Sequence, residues 1–202
     1  MAYSDFTIDK VKEKFGIAFD EDGNFFSDVA PLEISDLLRQ ELAENVPMAQ
    51  AIRSEKARSE LIIMPVLMEV RRQVGRRISL FSGVDFTVDS DNGLKGSCDF
   101  ILSLSKEQLL IESPVVAIAE AKRDDFPGGF GQCAAEMIGA RVFNQQRNAS
   151  LPTIFGVVTT GNLWRFLRLV GDTIFIDEDE YHVGNVDRIV GILVSMCQSQ
   201  RV

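Results

Sequence analysis

Residues 96–122 read GSCDFILSLSKEQLLIESPVVAIAEAK. Two apolar runs, 100–104 and 115–121, flank a polar turn. Asp99 stands at the head of the first run, and Glu120 and Lys122 close the second. The second run is nearly all apolar, which suits a central strand buried on both faces. Paired strands would bring Asp99, Glu120 and Lys122 to one place. The fold and the chemistry both follow from that pairing.

Working upstream, residues 78–88 are rich in β-branched and aromatic side chains and read as a further strand, with Gly83 marking a bulge. The cluster DSDNGLKG at 89–96 turns the chain. Before it, residues 31–73 read as helix. Pro31 suits a first helical position. Asn45-Val46-Pro47 is expected to break the run, since a residue before proline avoids helical angles. A second helix then spans about 47–73, kinked at Pro65. Residues 7–15 place Ile8, Val11 and Phe15 on one helical face, with a stop at Gly16. DEDG at 20–23 reads as a solvated loop, because it lacks the further oxygen ligands and closing glutamate of an EF-hand.

Downstream, PGGFG at 127–131 reads as a flexible loop. Residues 132–144 form a helix of small side chains, on which Gln132 and Glu136 share a face. A strand at 154–158, a turn at 159–162 and a hairpin of 164–170 with 173–176 across Gly171-Asp172 follow. The acidic run 177–180 reads as a solvated turn. Residues 186–196 close the chain as a helix with Val186, Ile189, Val190 and Leu193 as its core stripe. The order predicts an α/β protein with a mixed central sheet flanked by helices. The division expected is a small N-terminal helical extension, 1–46, and a main domain, 47–202.

The 202 residues are 46% hydrophobic, enough for one full core. No apolar run reaches the ~20 residues of a membrane helix. The first residues lack the charged-then-apolar pattern of a secretory signal. Three dispersed cysteines argue against a disulfide framework or a zinc site and for a reducing, cytoplasmic setting. The net charge of -9 excludes a whole-molecule attraction to nucleic acid, so DNA binding would need local basic groups. Candidate phosphate contacts are Arg71, Arg72, Arg76, Arg77, Arg123, Arg141, Arg147, Arg165 and Arg168. His182 is the single histidine and reads as structural or exposed, which removes Ser-His-Asp and Cys-His catalysis.

Burying two carboxylates and an amine is costly unless something pairs them. A divalent metal held by Asp99 and Glu120 would do so, and magnesium favours a few carboxylate oxygens plus water. Lys122 lies two residues beyond Glu120 and shares its strand face. Its ammonium would orient an attacking water or steady charge on a phosphoryl group, and as a neutral amine it would deprotonate the water. The same three groups also make sense as a structural ion pair at a sheet edge.

Asp99 followed by Glu120-Ala121-Lys122 resembles the PD-(D/E)xK nuclease motif of the restriction-endonuclease-like fold. Over roughly residues 50–170 the chain is similar to the N-terminal nuclease domain of type I restriction-enzyme motor subunits. The likeness takes in Glu60 before LIIMPVL, GSCDF, IAEAK, the helix opening at Gln132, and VVTTGNLWRF. It implies a DNA endonuclease using Mg2+ or Mn2+ in defence or mobile-element biology. Residues matching Asp99 and Glu120 would hold the metal, Glu60 would assist them, Lys122 would be catalytic, and Gln132 would lie at the site's edge. Cys98 stands where the motif has proline, and Glu136 where the glutamine helix often carries tyrosine. A homodimer would be natural if both DNA strands are cut. The alternatives are a catalytically silent nuclease-fold module for binding or regulation, and an oligomeric scaffold assembled through the N-terminal helices.

Overall fold

The computed structural model describes residues 1–122 and 126–200. Helix α1 (Ile8–Phe15) starts at Thr7, whose side chain accepts from Lys10 N, and ends at Gly16 as the sequence predicts. A short strand follows that sequence patterning missed, β1 (Ala18–Asp20). It adds in parallel to the edge of the sheet beside a strand more than 150 residues later in the chain.

Helix α2 (Asp36–Ile52) departs from expectation at both proline signals. Pro31 lies outside it. Ser35 starts the helix instead, because its Oγ accepts from Leu38 N while its own N–H and O–H are held by Glu69. Pro47 lies inside the helix without ending it. The carbonyl it leaves unpaired is that of Ala43, which is exposed, so water can satisfy it. The break comes at Arg53, in a left-handed conformation, and Ser54 caps the next turn. That second helical stretch is α3 (Glu55–Arg58), a π-helical turn (Ser59–Ile63), and α4 (Met64–Gln73). Pro65 sits in the first turn of α4. The widened turn just before it accommodates the ring and the missing N–H where a uniform α-helix would clash.

The expected strands are present as β2 (Ser79–Asp85), β3 (Ser97–Ser103) and β4 (Val115–Ala121), and β4 is buried along its whole length. Helix α5 (Phe126–Gln146) follows. The expected loop at 127–131 is therefore helical. Its glycines serve close packing: a Cβ on Gly131 would stand 2.5 Å from the Phe6 carbonyl oxygen and 2.6 Å from Thr7 Cα. Then come β5 (Thr153–Thr159), β6 (Leu163–Val170), β7 (Thr173–Ile176), β8 (Tyr181–His182) and α6 (Val186–Gln198).

Among the described residues the sheet has eight strands in the order β1-β7-β6-β5-β4-β3-β2, with β8 also pairing β6. It is mixed: β4–β5 and β1–β7 are parallel and the other pairs antiparallel. Each face has its own core. One contains Leu38, Leu67, Val70, Trp164, Val190 and Leu193, from α2, α4, β6 and α6. The other contains Tyr3, Val11, Ile118, Met137 and Ile138, from the N-terminal segment, β4 and α5. The protein is thus α/β, with a central mixed sheet between helices. Residues 1–46 contribute to both cores, and the 46/47 boundary falls inside α2. No helix among the described residues is long and apolar enough to cross a membrane.

The acidic run 177–180 is not wholly solvated. Asp177 is buried and accepts from the N–H groups of Phe25 and Asp179, tying the loop before α2 to the hairpin. His182 is exposed and accepts from Gly184 N.

Candidate active site

The site forms where the sheet's hydrogen-bond ladder fails. Strands β3 and β4 pair from Ser103↔Val115 to Phe100↔Ala119 and no further, though both continue. Asp99 and Glu120 are the next residues on each side. Instead of a backbone bond, the Asp99 carboxylate accepts from Ala121 N at 2.8 Å. On its other edge β3 pairs β2 at Ser82↔Phe100 and Val84↔Cys98, leaving out Gly83 between them. Gly83 adopts φ 63°, a conformation open to glycine at little cost. The register on either side is unchanged, so this is a gap in the ladder and not the bulge expected. Strand β4 meanwhile stays anchored to β5, with Lys122 N donating to Thr159 O.

The gap opens a cleft of about 260 Å³, lined by Asp99, Ala121 and Gly83 on the sheet and by Glu55, Ser59 and Glu60 on the helical stretch. Beneath it Lys122 Nζ lies 2.6 Å from Glu120 Oε1 and donates to Gln132 Oε1 at 2.9 Å. Gln132 Nε2 donates in turn to Glu136 Oε1 at 3.1 Å. Asp99, Glu120, Lys122 and Gln132 are therefore brought together. Glu60 lines the same cleft but is 60% exposed and paired with Lys56 at 2.7 Å. The π-helical turn carries it there.

The electrostatics record crowded negative charge. Burial raises the Asp99 pKa, and the Ala121 N–H, Lys122 and a hydrogen bond with Glu120 only partly offset it. Burial and then the Asp99 charge push Glu120 up to about 8, against the pull of Lys122. For Lys122 burial works to lower the pKa, but Glu120 outweighs it and the amine is held charged. Sequence reasoning missed Glu55, whose charge acts on both Glu120 and Lys122. Nothing local distinguishes it from any acidic residue in a helix's first turn. Glu136 did carry a signal, its place one turn beyond Gln132.

Glu120 Oε2 is buried and meets no donor among the described residues. A proton shared with Asp99 would satisfy it, or a cation when both carboxyls are ionised. Two adjacent carboxylates with open lone pairs suit magnesium, which takes one or two carboxylates and fills its remaining positions with water and phosphate oxygens. Among the described residues no three His, Cys, Asp or Glu side chains form a ready-made ion site. Asp99 and Glu120 would hold such an ion from the protein side, leaving its other positions to water.

The arginines are largely committed elsewhere. Arg71 and Arg77 donate to the Ile78 and Val74 carbonyls and Arg72 to Glu69, so they serve the end of α4. Arg141 holds Gly171 and Asp172, Arg147 lies over Phe143, Arg165 bonds Glu180, and Arg168 lies over Phe25. Arg123 is outside the described residues. Comparison with protein-family models, curated proteins and solved structures finds no match to this chain.

Proposed function

We propose that the protein is a metal-dependent deoxyribonuclease of the restriction-endonuclease-like class, hydrolysing phosphodiester bonds with Mg2+ or Mn2+. The observation that carries this reading is the Glu120 Oε2 without a partner among the described residues, beside Asp99 and Lys122 where the β3–β4 ladder ends. Asp99 and Glu120 would hold the ion, with Glu60 near enough to the cleft to act through water. The ion, when bound, would polarise the phosphoryl oxygen and lower the pKa of a water. Lys122, charged and fixed, would orient the attacking water and oppose the charge that grows on the phosphate. The water oxygen would bond to phosphorus and pass a proton to bulk solvent, one P–O ester bond would break, and the leaving oxygen would take up a proton from solvent.

Purified protein should nick or degrade plasmid or single-stranded DNA only with Mg2+ or Mn2+. Asp99→Ala, Glu120→Ala and Lys122→Ala should each lower the rate by about 10²-fold or more while staying folded. Equal cleavage by all four proteins would refute the assignment.

A second reading, a nuclease-fold module without catalysis, is favoured by Lys122 already neutralising Glu120 at 2.6 Å. Calorimetry separates the two. Magnesium binding that is lost in Asp99→Ala supports the nuclease, whereas no heat and no cleavage support the module.

A further inference from the structure

Glu136 is the most deeply buried acid near the site, with no exposed surface, yet it makes no ion pair with a cation among the described residues. Its buried neighbours include Tyr3, Cys98 and Cys133, near enough for its charge to act on each. Its Oε1 accepts from Gln132 Nε2, and its Oε2 has no partner among the described residues. A carboxyl is an expensive way to fill such a space, which a leucine or methionine would fill at less cost.

The contact it does make decides an orientation. The Gln132 amide has one accepting end and one donating end. Turned over, it would set its NH2 against the Lys122 ammonium, donor against donor. With Glu136 behind it, Nε2 finds an acceptor on the far side, and Oε1 is left facing Lys122 at 2.9 Å. The two residues sit one turn apart on α5, whose close seating on the N-terminal backbone at Gly131 leaves the helix little room to shift.

We propose that Glu136 is a positioning residue of this site: its buried carboxyl fixes the Gln132 amide so that Oε1 holds the Lys122 ammonium beside Glu120. Burial raises the Glu136 pKa well above the usual range, and whether protonated or ionised the carboxyl keeps an oxygen that accepts from Gln132. The inference rests on the nuclease reading for its kinetic consequence, but the arrangement of Lys122 can be measured without any cleavage.

The full chain and its Glu136→Met, Glu136→Gln and Gln132→Met variants are acetylated at one fixed pH, and each lysine is followed by mass spectrometry. Lys56, 82% exposed, is the internal reference. Loss of the restraint in Glu136→Met should speed Lys122 labelling by about tenfold, the worth of one hydrogen bond to a charged group. Glu136→Gln keeps an accepting oxygen and should restore slow labelling. Gln132→Met should label fast, and adding Glu136→Met to it should change nothing more, because the second residue acts only through the first. Unchanged labelling in folded Glu136→Met, fast labelling in Glu136→Gln, or a further rise in the double variant would each overturn the proposal. If Glu136→Met does not fold, the other two variants decide: Glu136→Gln must match wild type and Gln132→Met must expose Lys122. In cleavage assays Glu136→Met should lower kcat by about tenfold with KM unchanged. A wild type that cuts nothing refutes the nuclease reading, and the labelling result still decides this one.

Discussion

Asp99 and Glu120 are held where ionising both is unfavourable, which makes their charge a measurable load on the fold. Burial raises the Asp99 pKa above its ordinary value, and burial followed by the Asp99 charge pushes Glu120 up in turn. An asparagine at 99 keeps an oxygen for the Ala121 N–H and removes the repulsion. Asp99→Asn is therefore expected to raise thermal stability at pH 7 by about 1 kcal/mol and, on the proposed nuclease reading, to abolish cleavage. A lower Tm by calorimetry would contradict this. At this scale the sequence was informative where a charge interrupts an apolar run: Asp99, Glu120 and Lys122 stand out for that reason. Glu60 was legible as a residue near the cleft, but its pairing with Lys56 was not. Glu55 gained its meaning only from the fold that sets α3 across from β4.

Helix α5 shows why element boundaries are harder to read than element types. PGGFG has the composition of a loop, yet Pro127 fits a helix's first turn and the glycines admit other chains. Gly131→Ala would force a methyl group into the backbone of Phe6 and Thr7, which cannot yield as a side-chain tip can. It should cost about 2 kcal/mol or more by denaturant unfolding. Pro47 misled in the opposite sense, since an exposed carbonyl lets a helix pass through it. The joint between α2 and α4 makes a separate, pH-dependent contribution. Glu69 is buried, which alone would raise its pKa. Hydrogen bonds from Ser35, Gln73 and Arg72 reverse this and lower it below the ordinary 4.5. Its stabilisation is complete above that value and is lost as pH falls through the depressed pKa. Glu69→Gln should cost about 2 kcal/mol at neutral pH and give a shallower loss of stability in acid, followed by circular dichroism.

Across the whole molecule, most strands and the helices flanking the sheet were foreseeable, because a buried sheet leaves long apolar runs, whereas the division into two cores was not. The role of the first 20 residues was not, since β1 is three residues long and its partner lies far along the chain. Tyr3, Phe6, Val11 and Ile17 are all buried, and each contributes about 1.5–3 kcal/mol. Together they rival the net stability of an ordinary domain, about 5–15 kcal/mol. Deleting residues 1–20 should therefore abolish cooperative thermal unfolding, and a truncated protein with an unchanged Tm would contradict this. The pairing of Ala18–Asp20 with Thr173–Phe175 has one more consequence. During synthesis on the ribosome, β1 must wait for its docking edge until about 150 further residues have emerged. The seam between β1 and β7 thus closes only after β7 has emerged, and a nascent chain stalled before β7 would carry an unattached β1.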